Sequence, residues 1–377
     1  MSKTKKYSTI GTVMLAGVLI AAPLSSFAEQ LYNRLTVQDA VDIMKENDLQ
    51  TEITLEDDDL DRWRTAFTPA PGYTPPAGNQ NASSWPAAYR THVEPLKRQA
   101  NDQQDDYQIL SGELQRESAS YAQLFNYWLL ERQMEVNETN LELAKRDLRN
   151  TRTQHQQGQV SQNDVVQAEI GVNSAQVSFD ESKQNFDQLK YQINQKLDQS
   201  IPADIEIMVP ELTFIPQGEL NADAVKQKIF NNHGSLGFTK KMLEAYTKGH
   251  EVVTGDNFVV GNDTLPVYLE REVGYWNLQL RQQRQNLEIL AYSFTDNLKR
   301  LENTIRLHEE NVKQGEKLYA AANRSFEQGM STFSDVEDAR LNLLNTNMQL
   351  ASAQKDYMEA KEEFRLFQEG HVPSQGF

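Results

Sequence analysis

Gly158-Gln159-Val160-Ser161-Gln162-Asn163-Asp164-Val165 and Gly329-Met330-Ser331-Thr332-Phe333-Ser334-Asp335-Val336 follow one pattern. Each holds a glycine, a hydroxyl side chain three residues on, an aspartate three beyond that, and then a valine. Glycine suits the left-handed residue that ends a helix, because without a Cβ it takes positive φ at no steric cost. Ser161 and Thr332 are placed to cap the outgoing helix. Asp164 and Asp335 fall at its third position, an aspartate version of the capping box. The pattern predicts a tight turn between antiparallel helices, used twice, 171 residues apart (329 minus 158).

Working outward, Val165, Ala168, Val172, Ala175, Phe179, Ser182, Phe186, Leu189 and Ile193 advance by alternating threes and fours. That is the stripe by which helices pair along a supercoiled seam. Val336, Ala339, Leu343, Thr346, Leu350, Ala353, Tyr357, Ala360 and Phe364 do the same, and subtracting 171 from each returns the first set. Upstream, a helix is predicted from about Pro95 to Gln157, with a seam through Tyr107, Leu114, Tyr121, Leu124, Leu141 and Leu148. Its second-half counterpart runs through Leu287, Phe294, Leu298, Ile305, His308, Tyr319 and Phe326. Leu35-Thr36 to Asn47, with Thr36 as cap and Asp39 in the first turn, is echoed by Leu220-Asn221 to Asn231. The chain reads as an internal duplication. The predicted fold is all-α dominated: two duplicated long coiled-coil hairpins of the α-barrel or tunnel type. The hairpin repeats fall at 29–200 and 220–370, joined by a proline-bearing linker at 201–219, with a disordered tail at 371–377.

Residues 1–28 carry Lys3, Lys5 and Lys6, an apolar run from Ile10 to Ala22, and Ser26-Phe27-Ala28, the layout of a cleaved signal peptide. With no cysteine in the chain, neither disulfides nor lipid attachment after that segment is expected. The net charge of -17 argues against nucleic acid as a partner. A mean hydropathy of -0.66 suits helices that bury a narrow stripe and wet the remainder.

Export, duplication, long paired helices and these turns together resemble the outer-membrane efflux channel family, the TolC type. The match is strongest over Arg324-Ser325-Phe326-Glu327-Gln328-Gly329 and Asp335-Val336-Glu337-Asp338-Ala339-Arg340. The resemblance implies a homotrimeric, passive helical conduit in a tripartite efflux or secretion system. It implies a periplasmic adaptor (membrane fusion) protein and an inner-membrane pump as partners. It places the adaptor-docking tips at Gly158, Gln159, Val160, Ser161, Gly329, Met330, Ser331 and Thr332. It places a constriction at Asp335 and Asp338, with Asp164 as the first-half counterpart. Capping alone accounts for Asp335, and a solvated face for Asp338.

One departure from the family stands out. Family members insert spanning strands of about 10 residues. Here the first-half position is the irregular Pro69–Pro86 stretch, where proline forbids a central strand. The second offers at most a short β-hairpin, Phe258-Val259-Val260 with Val267-Tyr268-Leu269. The resemblance implies the outer membrane as the location; the reduced strands leave the periplasm or cell surface open. The rival reading is a non-channel coiled-coil structural or adhesive protein of the cell surface.

The histidines at 92, 155, 233, 250, 308 and 371 have no metal-ligand spacing, and His155 and His308 read as packed seam positions. The acidic run Glu56-Asp57-Asp58-Asp59 with Asp61 lacks the glycine and terminal glutamate of a calcium loop. No nucleophile or phosphate-cradling motif is present, so no enzyme, cofactor or metal is expected.

Overall fold

The computed structural model describes residues 34–47, 85–209, 211–255 and 264–372. The expected signal peptide, the Glu56 to Asp61 run, most of the Pro69–Pro86 stretch, the Phe258 strand and the tail after Val372 lie outside them. The order is β1 (Arg34–Thr36), α1 (Val37–Glu46), α2 (Trp85–Ala88), a π-helical turn (Tyr89–Val93), α3 (Glu94–Gln156) and α4 (Gln162–Lys196). Then come β2 (Glu206–Met208), α5 (Ala222–Asn232), α6 (Gly234–Thr254), α7 (Thr264–Glu327) and α8 (Phe333–Glu369).

Helices α3 and α7, of 63 and 64 residues, are each about 95 Å long at the α-helical rise. α4 pairs with the distal part of α3, and α8 with that of α7, giving two hairpins; α3 also packs on α8. The four therefore lie side by side in the order α4, α3, α8, α7. Proximally, α6 packs against both α3 and α7, while α1 covers α3 and α5 covers α7 and α8. The seam residues fill the interior: Leu124, Phe294, Leu298, Ile305 and Tyr357 are all fully buried. Phe294 stacks on Phe367 at 4.6 Å, and Tyr357 meets Phe214 of the connector edge-on.

Thr36 caps α1 as predicted, its hydroxyl accepting from the Asp39 amide. α1 is fixed to the hairpins by charge. The Glu117 carboxylate of α3 accepts from Lys45 Nζ at 2.8 Å and from Arg365 Nη2 of α8 at 2.6 Å. Burial works to raise the Glu117 pKa, but these two cations more than offset it and hold the group below its ordinary value. A carboxylate with a depressed folded pKa stabilises above its unfolded value, near 4.5, and loses that contribution as pH falls through the folded one. Denaturant midpoints measured from pH 7 to pH 3 are expected to fall more steeply for the wild type than for Glu117→Gln. Parallel acid limbs would contradict the assignment.

Two expectations are corrected, and the linker gains a strand that no sequence pattern marked. The hairpin ending in Val267-Tyr268-Leu269 does not form, because those residues lie inside α7. Leu265, Leu269, Val273 and Trp276 share one helical face against Met242 and Tyr246 of α6, so the 3.6-residue period wins over the apolar triplet. The connector is not wholly irregular: Glu206–Met208 pairs in parallel with Arg34–Thr36, Leu35 opposite Ile207, and both of these are buried. His371, assigned to the tail, is buried just past the Gly370 turn that ends α8.

Candidate functional site

The two turns have one backbone geometry. Gly158 has φ 72° and Gly329 φ 70°. Gln159 N donates to Gln154 O and Met330 N to Ser325 O, both at 2.9 Å, the bond that closes a left-handed helix terminus. On the outgoing side Asp164 Oδ2 accepts from Ser161 N at 2.8 Å, and Asp335 Oδ2 accepts from Thr332 N at 2.7 Å. Both capping boxes are complete.

The side chains around these turns are unlike. Phe326 and Phe333 flank the second turn, edge-to-face at 5.9 Å, in a buried cluster with Tyr319 and Val336. The matching positions of the first turn are His155 and Gln162. His155 is half-buried, with Nδ1 3.0 Å from Val160 O. Val160 and Ala168 of the first hairpin pack into the phenylalanine cluster, which holds the two tips together. His308, the other predicted seam histidine, is also half-buried. Gly158, Gln159, Ser161, Gly329, Met330 and Thr332 are exposed, Met330 at 71%; Val160 and Ser331 are half-buried.

About three to five turns back from the tips, a buried polar network joins the hairpins. Arg340 of α8 donates through Nη1 to the side-chain and backbone oxygens of Asn140 on α3, and through Nη2 to Glu337 Oε1 at 3.1 Å. Its Nε lies 3.8 Å from Asp147 Oδ2. Tyr319 of α7 donates to Asp147 at 3.3 Å and accepts from Arg146 Nη2 at 2.5 Å. Burial pushes the Asp147 carboxyl up; Arg146 and Arg340 oppose this without cancelling it. All four long helices meet here, since a Cβ on Gly171 of α4 would touch Glu337 Oε1 at 2.8 Å.

Of the predicted constriction residues, Asp335 and Asp338 are exposed on α8 and Asp164 is half-buried on α4. The Thr332 hydroxyl and backbone amide hold the Asp335 carboxyl below its usual range. Sequence reasoning missed Asp147, Asn140 and Arg340 as a group. The signal it had was a set of polar residues close to seam positions on helices predicted to be long and buried.

This is the fold of outer-membrane channels, which bears out the resemblance at the level of architecture. The outer-membrane channel OprN superposes with a TM-score of 0.65 at 11% identity, covering 89% of this chain and 90% of that one. The outer membrane protein VceC from Vibrio cholerae gives 0.64 at 11%, over 89% and 96%. The Campylobacter jejuni CmeC outer membrane channel gives 0.61 at 13%, over 90% and 87%. No family model and no curated protein matches the sequence. Among the described residues no helix is long and apolar enough to cross a membrane.

Proposed function

We propose that this chain is the outer-membrane-factor component of a tripartite efflux or secretion system. Three exported copies close into a tunnel, and the tips dock a periplasmic adaptor that is bound to an inner-membrane pump. The chain performs no chemistry; the pump supplies the energy.

The observation that carries this reading is the pair of open edges of the four-helix layer. α4 exposes Val166, Ile170 and Val177, with Ile170 at 59%. α7 exposes Leu278, Ile289, Leu307 and Leu318, spaced by 11, 18 and 11 residues, with Leu307 at 68%. Those spacings are close to whole numbers of helical turns, so the four side chains form one stripe. Two different apolar edges on one molecule favour a head-to-tail contact that repeats until a ring closes. The mass of the assembled protein, measured by native mass spectrometry or analytical ultracentrifugation, tests it. A stable trimer supports the conduit; a monomer or dimer removes it and leaves the spacer or adhesive coiled coil.

In a closed ring Asp335 and Asp338 of each copy would gather near the narrow end, a negative collar that favours cations. The double variant Asp335→Ala/Asp338→Ala is expected to reduce cation selectivity in a reconstituted channel. Removing Asp335 also breaks the capping box of α8. Asp338→Asn keeps that cap and isolates the charge. Unchanged conductance and selectivity in both variants would remove the collar.

A further inference from the structure

A cavity of about 570 Å³ opens between α3 and α8, with Val209, Glu211 and Leu212 of the connector along one side. It is large enough for a drug-sized molecule and has the mixed lining of ligand sites, mostly apolar with a few convergent polar groups. Trp128 and Val136 line one wall, Leu344 and Met358 the other, and Asn140 and Asn347 supply amides. It lies on the two inner helices of the layer, away from both exposed edge stripes, and does not depend on assembly.

The charges of the lining point to the kind of ligand. Arg132 is paired with Glu135 at 2.6 Å, and its guanidinium sits over the Trp128 ring. Arg340 is neutralised by Glu337 and Asp147. Glu211, exposed on the connector, is the one ionised group of the lining without a partner among the described residues. A partly apolar cavity with a single free carboxylate at its rim, in a chain of net charge -17, favours one charge sign. We propose that this cavity binds apolar organic cations, their rings between Trp128 and Leu344 and their charge toward Glu211.

Tetraphenylphosphonium and tetraphenylborate, nearly isosteric and opposite in sign, test this on the full chain. Tetraphenylphosphonium is expected to bind saturably at one site per chain and to change the Trp128 emission, a change absent in Trp128→Phe. Tetraphenylborate is expected to bind at least about tenfold more weakly, and Glu211→Gln to cost the cation about two- to fivefold, the scale of an exposed charge contact. Asn347→Trp, which fills the cavity, is expected to abolish binding while helicity is retained. Equal binding of the two ions, no saturable binding of either, or binding unaffected by both Glu211→Gln and Asn347→Trp would each overturn the proposal. If Asn347→Trp fails to fold, the ion pair and Glu211→Gln still decide it.

Discussion

Arg340→Ala is expected to lower the unfolding free energy by about 1–3 kcal/mol, the cost of leaving buried polar groups short of their donor. Arg340 is 3% exposed and Asp147 2% at the side chain. Removing the guanidinium leaves Asp147 with Arg146 at 3.7 Å and the Tyr319 hydroxyl, and strips Asn140 and Glu337 of their donor. The deficit is expected to narrow as pH falls. Asp147 already has a raised pKa, and without Arg340 it is driven further toward its neutral form, which acid supplies. The double variant Arg340→Met/Asp147→Asn removes charge on both sides and is expected to be more stable than Arg340→Met alone. Denaturant unfolding of the wild type, Arg340→Met, Asp147→Asn and the double variant gives the coupling directly. Additive losses would show that the residues are neighbours without being partners.

The second large effect concerns assembly. Ile170→Glu with Val177→Glu, or Leu307→Glu with Leu318→Glu, is expected to leave the folded monomer nearly unchanged, because exposed substitutions usually cost within about 0.5 kcal/mol. Each apolar side chain covered in a contact contributes about 1.5–3 kcal/mol. Losing two from one edge, and adding two carboxylates, is therefore expected to weaken association by about a hundredfold or more. Sedimentation at fixed concentration would shift to the monomer while circular dichroism stayed helical. Persistence of the wild-type mass in both variants would place the contact elsewhere. Since the chain has no cysteine, Ile170→Cys and Leu318→Cys, at nearly equal heights above the two turns, offer an independent cross-linking check.

The hairpins were legible because their determinants are local. A glycine, a cap and a carboxylate within seven residues fix each turn, and a seam repeating in threes and fours fixes the pairing of the helices it joins. What the residues do not encode locally is the register between hairpins. Asp147 and Arg340 stand on separate hairpins, and nothing in either seam says which turn of α3 faces which turn of α8. Their meeting depends on the side-by-side packing of the two hairpins. The Phe258 to Leu269 stretch misled for the opposite reason: Val267-Tyr268-Leu269 is a good strand triplet, and only Leu265, Val273 and Trp276 around it reveal the helical face. The Leu35–Ile207 strand pair joins segments too short to carry a period of their own.

The two tips share a backbone and differ in their exposed side chains, Gln159 and Gln162 on the first, Met330 on the second above its buried phenylalanines. Around the proposed ring these would alternate, so the rim would carry two surfaces rather than one repeated throughout. A partner made of identical subunits would then meet non-equivalent seats. Each of its copies must tolerate both, or only every second one docks tightly. Such a rim would be threefold in chemistry although nearly sixfold in shape, and docking stoichiometry would be set by exposed Met330 against exposed Gln159, not by the turn that both tips have in common.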